Sequence, residues 1–276
     1  MPELPEIQAL TERLSAALGG ARLTRIDPLQ FSALKTYSPD PAALLEKELA
    51  TVSRRGKYLV FEFGSHNLLV HLSQGGRVFI EEPPKPSRPK GGVVRLVFDK
   101  TGLLVREYGT ERKAAWWVLE SDDPGPLERL GPEPWDDAFA ELLTTGDDRR
   151  QLHTMLRDQK TVAGIGRGFA DDILHEAKLS PFVSLASLTP EMRSGLLSTV
   201  RRVLDDATVR ERGRSGGLPA KLSGRFAVHG KFGEDCPRCG KPMARVSFES
   251  HEITYCPNCQ TGGKVLADRR LSRLLR

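Results

Sequence analysis

Apolar residues near the start of the chain recur at helical spacing. Ile7, Leu10, Leu14 and Leu18 fall on one face, and Gly19-Gly20 then stops the run. An amphipathic helix is predicted over residues 7–18, its first turn reaching back to residue 3 or 4. From residue 21 to about 120 the pattern shortens to strand-like segments. These lie at 51–63, 68–72, 77–80, 93–98 and 103–107, with Gly, Pro and Asp between them. Short strands at this spacing predict a sandwich or barrel, with the proline- and lysine-rich segment 81–92 as a solvent loop. Proline-rich linkers are expected at 121–126 and 130–134. Helical periodicity returns over 138–210, broken at 162–168 and near Ser180-Pro181. A basic, glycine-rich loop at 213–224, read as mobile, precedes a cysteine module and an arginine-rich end.

Composition narrows this picture. At 276 residues the chain has room for two domains, or one domain plus a small module. A hydrophobic content of 39% with 28% charged residues excludes a disordered chain, and no run is long enough to span a membrane. A net charge of +5 favours polyanions mildly. The N-terminus lacks the apolar core of a signal peptide, so a cytoplasmic location is expected. All four cysteines fall in Cys236-x2-Cys239-x16-Cys256-x2-Cys259, which excludes a disulfide framework spread across the fold. Two close thiol pairs separated by a hairpin-length insert suit one structural zinc ion with no open coordination position.

The first six residues, Met1-Pro2-Glu3-Leu4-Pro5-Glu6, carry candidate chemistry. Removal of Met1 would leave Pro2 with a free secondary amine. An α-amino group has a pKa near 8, so part of it is neutral and nucleophilic at pH 7. Glu3 and Glu6 supply proton-transfer groups beside it. The glycine turn Val162-Ala163-Gly164-Ile165-Gly166-Arg167-Gly168 opens a helix and fits a phosphate cradle on a helix-turn-helix-like element. Close helix packing alone would also account for its glycines. The cations of Arg54-Arg55-Gly56-Lys57 read by composition as a solvated edge, and His71 in an apolar strand reads as a core histidine.

Taken in order along the chain, several segments make a more specific pattern. They are Pro2-Glu3-Leu4-Pro5-Glu6, Arg55-Gly56-Lys57-Tyr58, His71-Leu72, Leu130-Gly131-Pro132-Glu133-Pro134, Gln159 with the 162–166 turn, Val228-His229-Gly230-Lys231 and the cysteine hairpin. Together they resemble the formamidopyrimidine-DNA glycosylase / endonuclease VIII family over residues 1 to about 262. The resemblance implies an α+β fold with three parts. An N-terminal β-sandwich with a flanking helix would occupy 1–123, a helix–two-turn–helix domain 128–222 and a zinc-finger hairpin 226–262, with a basic tail at 263–276. It implies a bifunctional DNA glycosylase/AP lyase of base excision repair, working on double-stranded DNA with damaged bases or abasic sites. A monomer associated with the nucleoid is expected, with no membrane partner.

By the same resemblance, Pro2 would attack C1′ of the damaged nucleotide and form an iminium. Glu3 would handle protons, Glu6 would support the amine and Lys57 would bind phosphate near the lesion. His71, Gln74, Arg112, Lys113, Gly166, Arg167, Lys231 and His251 would contact DNA, and Cys236, Cys239, Cys256 and Cys259 would hold the zinc. Several positions depart from the family pattern. Arg167 stands where asparagine is usual, and Phe169 where tyrosine is. Gln74, Arg112 and Lys113 stand where methionine, arginine and phenylalanine fill the gap left by a flipped base. His251 stands where an arginine grips phosphate. Two other readings compete with the enzyme. One is a damaged- or abasic-DNA binding protein of this fold with weak or lost catalysis. The other is a zinc-ribbon regulatory or protein-interaction module.

Overall fold

The computed structural model describes the whole chain except residues 110, 223, 249, 250 and 267–276. Most of the tail expected at 263–276 therefore lies outside the described residues. The chain forms two compact units. One comprises Met1–Arg129 with Ala207–Leu222, the other residues 130–206 with the described part of 223–276.

The first unit opens with α1, Leu4–Leu18. Its start is set by a capping box: Glu3 at the N-cap accepts from the N–H of Glu6, and the Glu6 carboxylate accepts from the N–H of Glu3 at 2.7 Å. Pro5 sits in the first turn, where its missing N–H costs nothing. Eight strands follow: β1 Leu23–Pro28, β2 Thr51–Arg55, β3 Tyr58–Glu62, β4 His66–His71, β5 Gly76–Glu81, β6 Gly92–Phe98, β7 Thr101–Glu107 and β8 Ala115–Glu120. They make two four-stranded sheets, ordered β1-β6-β7-β5 and β2-β3-β4-β8, and each observed pairing is antiparallel.

Period-2 alternation places Leu59 and Phe61, Leu68 and Val70, and Trp116 and Val118 in one core with Leu96, Phe98, Leu103 and Val105 of the other sheet. Phe63 and Phe98 stack with ring planes 2° apart. Ile7, Leu10, Leu14 and Leu18 of α1 join that core, as their spacing predicts. The architecture is thus a sandwich. On the face away from this core, the fully buried Arg95 guanidinium is held by Glu81 at 2.8 Å.

The run 51–63 folds as a hairpin, β2 and β3 joined at the Arg55–Tyr58 turn with Gly56 at φ +56°. One sequence expectation needs correction here. The glycine-rich loop is anchored at its centre. Leu218 is buried and donates to the Val78 carbonyl at 2.6 Å, while a Cβ on Gly217 would lie 2.1 Å from that same oxygen.

The second unit carries α2 Asp137–Thr145, α3 Leu152–Arg157, α4 Arg167–Glu176 and most of α5, Pro190–Arg212. A hairpin of β9 Ala244–Ser247 and β10 Glu252–Tyr255 follows, then the short α6 Pro257–Gln260. Phe139, Leu152, Met155, Phe169, Ile173, Leu196 and Val200 are buried. The predicted linker at 130–134 is packed structure. Gly131 donates to the Gln159 carbonyl and Ala163 to that of Pro132, each at 2.8 Å.

Candidate active site and nucleic-acid interface

At the head of α1 the acidic groups are buried: Glu3 is 3% exposed and Glu6 0%. Pro2 is also buried, with Met1 ahead of it partly exposed. The capping box fixes the two carboxylates against backbone N–H groups. The first turn of α1 directs its positive dipole end toward Pro2.

Lys57 occupies the β2–β3 turn and is 4% exposed. His71, the last residue of β4, pairs in register with Tyr58, and the two rings lie 4.6 Å apart. Burial, reinforced by the Lys57 ammonium, pushes the His71 imidazole down to about 4. It is therefore neutral at pH 7, and the positive charge at this turn belongs to Lys57.

Beyond β4 the chain turns through Ser73, at φ +52°, to the exposed Gln74. Across from it, Glu107 at the end of β7 accepts from the N–H groups of Lys113 and Ala114 at 2.9 and 3.0 Å, closing a loop on itself. Together these loops line a cavity of about 260 Å³. Of the three positions expected to fill a vacated stack, Gln74 and Lys113 line this cavity. Arg112 is exposed in the same loop but is not part of the cavity wall.

In the second unit, the Gln159 side chain holds the glycine turn. Its amide donates to the Ile165 carbonyl at 2.6 Å and its oxygen accepts from Gly164, which sits at φ +96°. Gly166 is the N-cap of α4 and Arg167 its first residue. At Gly168 a Cβ would lie 2.0 Å from the Phe226 ring, so a larger residue there would have to displace that ring. His251 stacks on Phe248 at 4.6 Å with planes 8° apart. Burial, then the charges of Arg157 and Arg167, push His251 down to about 4. Arg167 and His251, read separately in the sequence, thus act on one another, and at pH 7 the imidazole beside these arginines is neutral. Lys231 is half-buried in the turn leading to the cysteines.

Sequence reasoning passed over Asp171 and Asp172, both buried. Asp172 accepts from the N–H groups of Ala227, Val228 and His229 at 2.6, 2.9 and 3.2 Å. Asp171 lies 2.6 Å from His229 Nδ1, accepts from the Thr254 N–H and lies 3.2 Å from the buried His153. The available signal was two adjacent acids inside an otherwise apolar helix, Phe169-Ala170-Asp171-Asp172-Ile173-Leu174.

The four cysteine sulfurs all lie within 4.8 Å of one another. Zn–S bonds of ~2.3 Å in a tetrahedron put sulfurs about 3.8 Å apart, so the donor set fits a four-coordinate metal ion. His175 Nε2 sits 3.1 Å from Cys236 Sγ, in the position of an outer hydrogen-bond partner to a ligand.

Two domain families match the chain. The formamidopyrimidine-DNA glycosylase N-terminal domain covers residues 1–115, and the formamidopyrimidine-DNA glycosylase H2TH domain covers 130–216. A formamidopyrimidine-DNA glycosylase of Laribacter hongkongensis is 34% identical over 94% of this chain and 100% of its own length. One of Symbiobacterium thermophilum is 33% identical over 98% and 93%. An uncharacterized formamidopyrimidine-DNA glycosylase-like protein of Mycobacterium tuberculosis is 43% identical over 53% of this chain and 94% of its own. Among solved structures, a Lactococcus lactis Fpg mutant in complex with Fapy-dG containing DNA superposes with a TM-score of 0.82. It is 26% identical and covers 94% of this chain and 100% of that one.

Proposed function

The chain belongs to the formamidopyrimidine-DNA glycosylase family, and from that premise we infer a base-excision DNA glycosylase with AP lyase activity that works through the Pro2 amine. The observation that carries the mechanism is the capping box that seats Glu3 and Glu6 beside Pro2. With Met1 in place the Pro2 nitrogen is part of an amide and cannot attack. Once Met1 is removed, the secondary amine bonds to C1′ of the damaged nucleotide. The base leaves with the glycosidic electron pair and takes up a proton; the nitrogen then loses its own proton, and its lone pair breaks the C1′–O4′ bond, O4′ taking up a proton, to give a ring-opened iminium. That cation acidifies C2′–H. Loss of this proton expels the 3′ phosphate, and a second elimination expels the 5′ phosphate. Glu3 takes and returns protons, and Lys57 neutralises phosphate beside the lesion.

Duplex DNA with a damaged base or abasic site is the substrate of this reading, and a monomer working at the cytoplasmic nucleoid is its setting. The likeness to a DNA-bound Lactococcus lactis structure supports the substrate class. Extruding the target nucleotide costs a few kcal/mol, least where pairing is already damaged. In the second unit the α4 N-terminus, with Arg167 and Lys231, contributes phosphate contacts. The four cysteines hold one structural zinc ion that keeps the hairpin in shape, and each step on the DNA falls to the Pro2 amine and to side chains of the chain itself.

Borohydride trapping on an abasic-site duplex tests the mechanism. The Met1-processed protein is expected to form a covalent adduct, and a form with residues added ahead of Pro2 is expected to form none. An adduct that persists in the extended form would overturn the assignment of Pro2. One observation favours a second reading, a damage-binding protein with weak turnover: the neutral His251 beside Arg167 alters the phosphate grip. Rapid strand cleavage at enzyme-limited concentration excludes it. The regulatory zinc-ribbon alternative has no need of Pro2 or Lys57 and does not account for the match over residues 1–115.

A further inference from the structure

Position 113 holds a lysine where a planar wedge was expected, and its ammonium is engaged by Glu111 at 2.6 Å. A planar ring nevertheless lines the same cavity. Tyr108 is 37% exposed and forms the wall together with Ser73, Gln74, Gly109, Glu111 and Lys113. Its backbone is fixed. The Tyr108 N–H donates to the Gly75 carbonyl at 2.9 Å, and a Cβ on Gly75 would lie 1.9 Å from the Tyr108 carbonyl oxygen. Gly109, at φ +103°, then turns the chain away from the ring.

The ring is also backed. The Arg106 guanidinium lies 4.8 Å from its centroid and is itself held by the Lys90 carbonyl at 2.9 Å. Phe79 packs at 6.3 Å, tilted by 56°. A side chain that enters a base stack must present a flat apolar face and resist being pushed aside. Among the residues lining this cavity, Tyr108 alone does both. Gln74 follows three residues after His71, which neighbours Lys57, so the cavity lies at the same end of β4 as the phosphate-binding turn.

Building on the glycosylase reading, we propose that Tyr108 is the stacking wedge of this protein. Its ring enters the gap left by the extruded nucleotide and stacks on the unpaired base opposite, while Gln74 and Lys113 line the rim. The surface that meets the orphaned base is then a phenol on the β7 side of the loop in place of a ring at position 113.

The test uses the full-length, Met1-processed protein and a duplex carrying a tetrahydrofuran abasic analogue opposite 2-aminopurine. Wild type and Tyr108→Phe are expected to quench the 2-aminopurine on binding. Tyr108→Ala is expected to lose the quenching and to bind about tenfold more weakly, the scale of one base–aromatic stack. Borohydride trapping of Tyr108→Ala is expected to fall on duplex abasic DNA and to stay at the wild-type level on single-stranded abasic DNA, which has no stack to fill. Quenching that survives in Tyr108→Ala but disappears in Lys113→Ala overturns the proposal, as does an equal loss of trapping on both substrates. If wild type traps neither substrate, the glycosylase/lyase reading fails, and the quenching comparison still decides the role of Tyr108.

Discussion

At the head of α1, Glu3 and Glu6 hold each other's backbone across three residues, whereas in the second unit Asp172 reaches N–H groups 55 to 57 positions away and Asp171 one 83 away. Both arrangements use buried carboxylates to fix backbone. The first does so locally, where an amine must be placed; the second does so over a distance, where a hairpin must be fastened to a helix. The two units share a further device. Each sets a histidine beside cations and holds it near 4, His71 with Lys57 and His251 with Arg157 and Arg167. Neither imidazole therefore adds charge at pH 7. Both units bury apolar side chains; what the second adds is its long-range polar ties and its cluster of four cysteines.

The largest effect should come from removing the metal. Chelation, or Cys239→Ser, is expected to withdraw on the order of 10 kcal/mol from the hairpin and abolish DNA binding. The sandwich should keep its folded near-ultraviolet signal from Trp116 and Trp117. Circular dichroism with a zinc assay checks this, and loss of both signals together would erase the contrast between the units.

Next comes pH. The folded-state value of His71 is depressed, so between 6.5 and about 4 the unfolded chain binds more protons than the folded one. Stability is therefore complete above pH 6.5 and falls as pH drops toward 4, by on the order of 3 kcal/mol for His71. Denaturant midpoints of wild type and His71→Gln, measured across that window, should converge at low pH. Parallel curves would remove His71 from the account.

Smaller again, Lys57→Met should lower kcat/KM by about 10- to 100-fold, the loss of one charge-assisted contact, with the fold unchanged. Single-turnover kinetics on an abasic duplex checks it. The smallest change is a gain. His251→Arg should tighten DNA binding a few-fold and steepen the salt dependence by about one phosphate contact. An unchanged slope in a salt titration would show that residue 251 does not meet phosphate.

Legibility in the sequence followed range. Pro2, Glu3 and Glu6 lie within one helical turn, and the cysteines announce themselves by spacing, so both groups could be read directly. α1 and most strands showed their period. β1 did not, because Leu23 is its single fully buried residue, and β8 did not, because Ala115-Trp116-Trp117-Val118-Leu119 is a continuous apolar run without alternation. Asp171, Asp172 and Tyr108 were not legible, since their partners are remote in sequence or their role depends on which loops meet. The docked state of the glycine-rich loop rests on the buried Leu218 and the partly buried Leu222, two residues in a segment otherwise dominated by glycine and polar residues.

That anchor also bears on the order in which the protein is made. β5 is an edge of its sheet, and its open hydrogen-bonding side receives Leu218, with Arg77 Nε donating to the Ala220 carbonyl nearby. A nascent chain that has emerged only through Arg129 already contains all eight strands of the sandwich yet leaves this edge bare. At ~5–20 residues per second the bare edge lasts for seconds, long enough for a neighbouring nascent chain to pair with it. Synthesis of the helical unit thus separates formation of the sandwich from its sealing, and a ribosome stalled between the two would release a strand edge prone to self-association.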